Sequence, residues 1–199
     1  MAEILELDPR SIRTIRNPID VEAIRRASLD VLPEAMEGPF LFTAGRLVHQ
    51  KGFDVLLRAF ASSAFRGSYR LVIAGEGPDL GALQALATEL GIAERVLFPG
   101  FQKNPWAWMR QCDLYLLSSR WEGCPNALAE ALACGAPVLA TDCRFGPPEL
   151  IRHARDGWLV PPEDPAALGQ AIDLLLASEQ LRERLGTAAA SRMEEFDRR

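Results

Sequence analysis

The sequence has little histidine, with His49 and His153 its only two. Its four cysteines, Cys112, Cys124, Cys134 and Cys143, show no C-x-x-C spacing. Together these scarcities argue against zinc. Free thiols in a reducing cytoplasm are the expected state of the cysteines. Positive charge is also in deficit, since 22 Lys and Arg against 27 Asp and Glu leave a net charge of −5. That balance offers no electrostatic case for nucleic acid. The arginines that collect early (Arg10, Arg13, Arg16, Arg25, Arg26) are interleaved with acids and read as a solvated face. The N-terminus lacks the apolar core of a signal peptide, and no apolar run approaches the roughly 20 residues that span a bilayer.

What is present is an ordinary globular composition, 48% hydrophobic and 25% charged over 199 residues. That length suffices for one core and is short for two full domains. From Phe40 onward, short apolar runs alternate with helix-length amphipathic stretches. The runs are FLFTAG (40–45), RLVIAG (70–75), RVLFPG (95–100), DLYLLSS (113–119), APVLAT (136–141) and GWLVPP (157–162). Most end in Gly, Pro or Ser, as strands entering loops do. Helical patterns fill the gaps at 52–65, 79–90, 104–111, 125–135, 148–154 and 164–178. In the last, Asp164 before Pro165 is an N-cap followed by an N1 proline. Strands apolar on both faces, each followed by a helix, predict an α/β fold. It is a Rossmann-like, doubly wound parallel sheet of about six strands at 39–199, closed by C-terminal helices. Residues 1–38 are too short for a core of their own and read as a linker or a remnant of something larger, with a helical stretch at 21–36.

Doubly wound sheets bind ligands beyond the carboxyl ends of their strands, so the residues just after each run are the candidates. After the first run, Gly45 permits a tight turn and close backbone approach. Arg46 and Lys51 bring two positive charges to the mouth of a helix beginning near Gly52. A guanidinium fork, an ammonium and a helix N-terminus suit a diphosphate. On the residues alone, two surface cations account for the pattern equally well, and His49 between them is incidental. After the second run, AGEGPDLG has the spacing G-x-G-x-x-x-G with Pro78 inside it. Turn glycines at a packed strand–helix junction explain it better than a dinucleotide fingerprint.

After the fourth run come Glu122, in a loop, and Glu130, in the second turn of the following helix. A carboxylate accepts two hydrogen bonds at once and so suits the vicinal diols of a sugar or ribose. Spacing alone favours the plainer reading of a loop acid and a helix-face acid. After the fifth run, the loop of Phe145 and Gly146 leads to Pro147–Pro148 and Glu149. Free backbone N–H groups there could receive a phosphate or a sugar hydroxyl. Two prolines remove two donors, so a helix merely favoured by Glu149 competes with that reading.

Taken together, GRLVHQKG, LVIAGEGP, VLFPGF, DLYLLSSRWEGCPNALAEALACGAPVLATDCRFGPPELI and GWLVPPEDPAAL resemble the group 1 retaining glycosyltransferases (family 4, GT-B fold), in the same order. The resemblance runs from about Asn17 to Ala177, and NPID resembles the crossing from the family's N-terminal domain into its second. It implies a nucleotide-sugar donor as substrate, with no further cofactor and no required metal. Arg46 and Lys51 would hold the diphosphate, Glu130 the ribose hydroxyls and Glu122 the donor-sugar hydroxyls. Gly45 and backbone around Phe145 and Gly146 would line the pocket, and the FPGF loop (98–101), with Phe98 and Gly100, would flank the base. UDP-sugars, UDP-N-acetylhexosamine among them, are the implied donors, and a glycan or lipid-linked molecule is the implied acceptor. The acceptor would be bound by an N-terminal domain or a partner chain, because 199 residues leave no room for both halves. Cytoplasmic location, free or at the inner face of the membrane, follows from the same resemblance. The alternative is a non-catalytic nucleotide-sugar-binding or regulatory module.

Overall fold

Alternating side chains along a strand point to opposite faces. The computed structural model, which describes residues 17–32 and 38–197, uses that alternation in every central strand. The strands are β1 (Phe40–Ala44), β2 (Arg70–Ala74), β3 (Val96–Leu97), β4 (Leu114–Leu117), β5 (Val138–Thr141) and β6 (Trp158–Val160). They pair in parallel in the order β3-β2-β1-β4-β5-β6. The helices are α1 (Val21–Ala27), α2 (Phe53–Ser62), α3 (Leu80–Glu89), α4 (Pro105–Gln111), α5 (Asn126–Ala133), α6 (Pro147–Leu150), α7 (Pro165–Leu176) and α8 (Glu179–Met193). This is the expected doubly wound α/β sheet.

Each face of the sheet carries its own core. Phe40, Phe42, Val72, Tyr115, Leu117 and Val138 pack with Ile24, Trp108, Leu128 and Met193 from α1, α4, α5 and α8. Leu41, Leu71, Ile73, Leu114, Leu116 and Leu139 pack with Leu57, Phe60, Leu83 and Ile172 from α2, α3 and α7. Each fully buried side chain of this size contributes about 1.5–3 kcal/mol of transfer free energy. On the first face Trp108 stacks on Phe42 at 5.7 Å between ring centroids and meets Phe40 edge-on at 5.9 Å.

Three elements differ in extent from the sequence pattern. Strand β3 is two residues long, at the sheet edge. Pro99 can donate no ladder hydrogen bond, and the chain turns away so that the Gly100 carbonyl accepts from Gly75 N–H at 2.8 Å. Helix α6 stops at Leu150 because the next residues are drawn into a turn. There Arg152 N–H donates to the buried carboxylate of Asp156 at 2.6 Å, and Ala154 N–H to the Gly157 carbonyl at 2.8 Å. Helix α1 ends at Ala27, and residues 33–36 of the expected helix lie outside the described residues.

The early arginines divide. Arg26 pairs with Glu22 on the surface, as a solvated face would. Arg25 instead reaches across to the Ala133 carbonyl at 3.2 Å, the Ala190 carbonyl at 2.8 Å and Glu194. With Val21 and Ile24 buried, that guanidinium ties α1 to α5 and α8. Arg10, Arg13 and Arg16 lie outside the described residues. Cys112, Cys134 and Cys143 are buried free thiols and Cys124 an exposed one. Among the described residues, no helix is long and apolar enough to cross a membrane.

Candidate functional site

The strand order places the topological switch between β1 and β4. From β1 the chain winds outward through β2 to β3, and from β4 it winds the other way to β6. The loops therefore part at the carboxyl ends of these two strands and leave a crevice between them. A cleft of about 440 Å³ opens there, lined by Ala44, Gly45, Arg46, Gly75, Phe101 and Ala127 among others.

The floor of this cleft is two backbones in contact. Gly45 N–H donates to the Ala74 carbonyl at 3.0 Å, and Leu47 N–H to the Glu76 carbonyl at 2.8 Å. A β-carbon on Gly75 would stand 1.9 Å from the Gly45 carbonyl oxygen, and one on Gly77 would stand 2.3 Å from that of Leu47. The AGEG glycines are thus required by packing against residues 45–47, which accounts for them as junction glycines. Arg46, the residue carried on that loop, is exposed and lines the cleft. Among the described residues no side chain or carbonyl engages its guanidinium.

Beyond Arg46 the chain makes a 3₁₀ turn, His49–Lys51, and passes through Gly52 at φ +62° into α2. The turn is clasped by the loop after β4. Ser118 Oγ donates to the Lys51 carbonyl at 2.9 Å, and Arg120 N–H to the Gln50 carbonyl at 2.8 Å. The Arg120 guanidinium grips Asp54 with two 2.8 Å bonds, Glu163 at 3.0 Å and the His49 carbonyl at 2.8 Å. Hydrogen bonding from Arg120 holds the Asp54 carboxyl below the usual carboxylate range, and the same bond pushes Arg120 upward. One largely buried arginine so joins the ends of β1, β4 and β6.

This clasp delivers Lys51 to Glu122. The ammonium Nζ lies 2.6 Å from Glu122 Oε1, which also accepts from Ser119 Oγ at 2.6 Å. Side-chain exposure is 19% for Lys51 and 5% for Glu122, so the pair is desolvated. Ser119 is itself fixed, its carbonyl accepting from Thr141 Oγ1 at 2.6 Å. Glu122 Oε2 accepts no bond among the described residues.

Glu130 is placed differently. Pro125 caps α5, and Glu130 follows in the second turn, one helix face with Ala127 of the cleft. Its Oε2 accepts from Trp106 Nε1 at 3.0 Å, and no described residue donates to Oε1. Near it the Tyr115 hydroxyl is buried with no hydrogen-bond partner among the described residues, its pKa raised by burial and then by the Glu130 charge.

The remaining candidates surround this centre unevenly. Phe145 is exposed with the Arg144 guanidinium 5.1 Å from its ring centroid. Gly146 lies against Glu122 and Pro125, and its N–H donates to Glu149 Oε1 at 3.3 Å, so α6 is capped from within the chain. Phe98 packs against the core of the other sheet face, and Gly100 supports Gly75 through its carbonyl. From that loop it is Phe101 and Gln102 that line the cleft. Sequence reasoning passed over Arg120, Ser119 and Trp106. A charge directly after a strand was a signal for Arg120, as it was for Arg46. Nothing local marked Trp106.

The family model for "Glycosyl transferases group 1" matches residues 25–192. The chain belongs to that family. A relative from Campylobacter jejuni, N-acetylgalactosamine-N,N'-diacetylbacillosaminyl-diphospho-undecaprenol 4-alpha-N-acetylgalactosaminyltransferase, is 32% identical over 198 residues, covering 100% of this chain and 53% of the relative. HepE from Anabaena, solved in complex with UDP, superposes with a TM-score of 0.86 at 21% identity, over 98% of this chain and 56% of that one. The C-terminal domain of the group 1 protein LpcC from Francisella tularensis superposes at 0.79 with 21% identity, over 91% of this chain and 100% of that domain. This group 1 chain thus has the fold of a C-terminal glycosyl transferase domain, and it spans about half the length of the curated relatives it matches.

Proposed function

We propose that this domain binds a nucleotide-sugar, with UDP-sugars the favoured donors, and serves in transferring the sugar with retention to a glycan or lipid-linked acceptor. The observation that carries this reading is the Lys51–Glu122 ion pair, whose lysine side chain passes beside Gly45, next to Arg46 at the cleft. An ammonium has three donors, and Glu122 takes one. The other N–H groups of Lys51, with the unengaged fork of Arg46, can hold a diphosphate. As the glycosidic bond breaks, negative charge grows on the departing diphosphate, and these preorganised cations stabilise it there. They supply that charge from the protein, so the reading requires no metal and no further cofactor. Glu122 Oε2 accepts from donor-sugar hydroxyls, and Glu130 Oε1 from the ribose diol.

A UDP-bound neighbour and a relative named for N-acetylgalactosaminyl transfer support the donor class. The acceptor is bound by an N-terminal domain or partner chain, and this half alone turns over little. Such work places the protein in the cytoplasm or at the inner face of the membrane. Calorimetric titration with UDP, GDP, ADP and UDP-N-acetylhexosamines tests the reading. Saturable UDP binding, weakened about tenfold or more in Arg46→Ala, is expected. No saturable binding of any nucleotide would sink it, and robust transfer by the chain alone would refute the division of labour.

A further inference from the structure

Glu130 is one of two glutamates at the crevice, yet its protein partner is a neutral indole. Trp106 Nε1 donates to Glu130 Oε2 at 3.0 Å. Pro105, next to Trp106, and Ala127, one turn before Glu130, are among the residues lining the cleft. Trp106 is half-buried against the first core, and its helix is anchored by Trp108 beneath it. An indole N–H can only donate, so Trp106 cannot compete with Glu130 for a hydroxyl donor. Being uncharged, it also leaves the carboxylate charge uncompensated.

We infer that Trp106 is a positioning residue that fixes the Glu130 carboxylate with Oε1 toward the cleft, and so sets selectivity for nucleotides with a ribose diol. The inference rests on the assignment of Glu130 to ribose in the proposed function. A free glutamate side chain has several rotatable bonds, and aiming it at two adjacent hydroxyls costs rotamer entropy. A bond from a packed indole removes much of that freedom before the ligand arrives. Selectivity against a sugar lacking those hydroxyls follows, because a bound nucleoside displaces water from the half-exposed acceptor, and leaving it then unpaired is costly.

The test compares UDP with 2′,3′-dideoxy-UDP, which carries the same base and diphosphate. Wild-type protein should favour UDP, and Trp106→Phe, which keeps a ring and loses the N–H, should lose about five- to tenfold in UDP affinity. Its affinity for dideoxy-UDP should be unchanged. Equal losses for both nucleotides would show a merely structural role and overturn the inference, as would no loss for either. A second readout needs no variant. In ¹⁵N-labelled wild-type protein, the Trp106 indole N–H resonance should move with UDP and stay with dideoxy-UDP. An identical response to both overturns the inference while leaving nucleotide binding intact. Failure of wild-type protein to bind UDP at all removes the functional reading, and this inference with it.

Discussion

The two glutamates of the crevice sit on one strand–helix unit and do opposite things with their charge. Glu122 is buried and paired with an ammonium and a hydroxyl on one oxygen. Glu130 is half-exposed and held by an uncharged N–H on one oxygen. In both, the protein occupies a single oxygen and leaves the other without a described donor. Identical side chains thus become a neutralised, immobile acceptor in the loop and a charged, oriented acceptor on the helix. Environment, not residue type, separates their roles.

The largest effect should come from breaking the paired side. Lys51→Met strands a buried carboxylate, and a loss of about 3 kcal/mol in urea unfolding is expected. An unchanged midpoint would mean that Ser119 alone satisfies Glu122. Next in size is Arg120→Ala, which frees the clasp that brings Lys51 to Glu122. It should cost about 2 kcal/mol near neutral pH.

That cost should depend on pH. The folded Asp54 carboxyl lies below its usual value of 3.8, so its contribution is complete above that value and disappears as pH falls through the folded one. Wild-type protein and Arg120→Ala should therefore draw closer in stability as pH falls below about 4, measured by thermal melts across the acid range. Asp54 is partly exposed and screened, which keeps this term modest. Least should happen to stability on the other side. Glu130→Gln should unfold within about 0.5 kcal/mol of wild type while losing UDP affinity. A large destabilisation there would erase the distinction between the two glutamates.

The sheet was legible because its strands are short apolar runs, the central ones buried on both faces, and each helix between them carries a stripe or a cap. Phe40 and Phe42 face one core and Leu41 the other, as alternation requires. Ends were less legible where one residue decides them, as the buried Asp156 does for α6 and Pro99 for β3. Helix α8 is mostly polar and holds to the body through Leu185, Gly186, Ala189 and Met193, too sparse a stripe to announce its neighbour. Within the site, strand-end position pointed to Arg46, Lys51 and Glu122. The bonds that define their states were not readable. Lys51 and Glu122 are 71 residues apart, and Trp106 and Glu130 are 24 apart. No window on the chain contains either pair.

The floor beneath Arg46 is made of main-chain atoms from residues 45–47 and 75–77, meshed too closely to admit a β-carbon at Gly75 or Gly77. Every residue type but proline offers the same amide and carbonyl, so the height of that floor can be inherited unchanged while the walls around it drift. Phe101, Gln102 and Glu76 stand on those walls and are free of that constraint. New donor preferences can therefore arise by exchanging wall side chains one at a time, on a foundation that tolerates almost no exchange of its own.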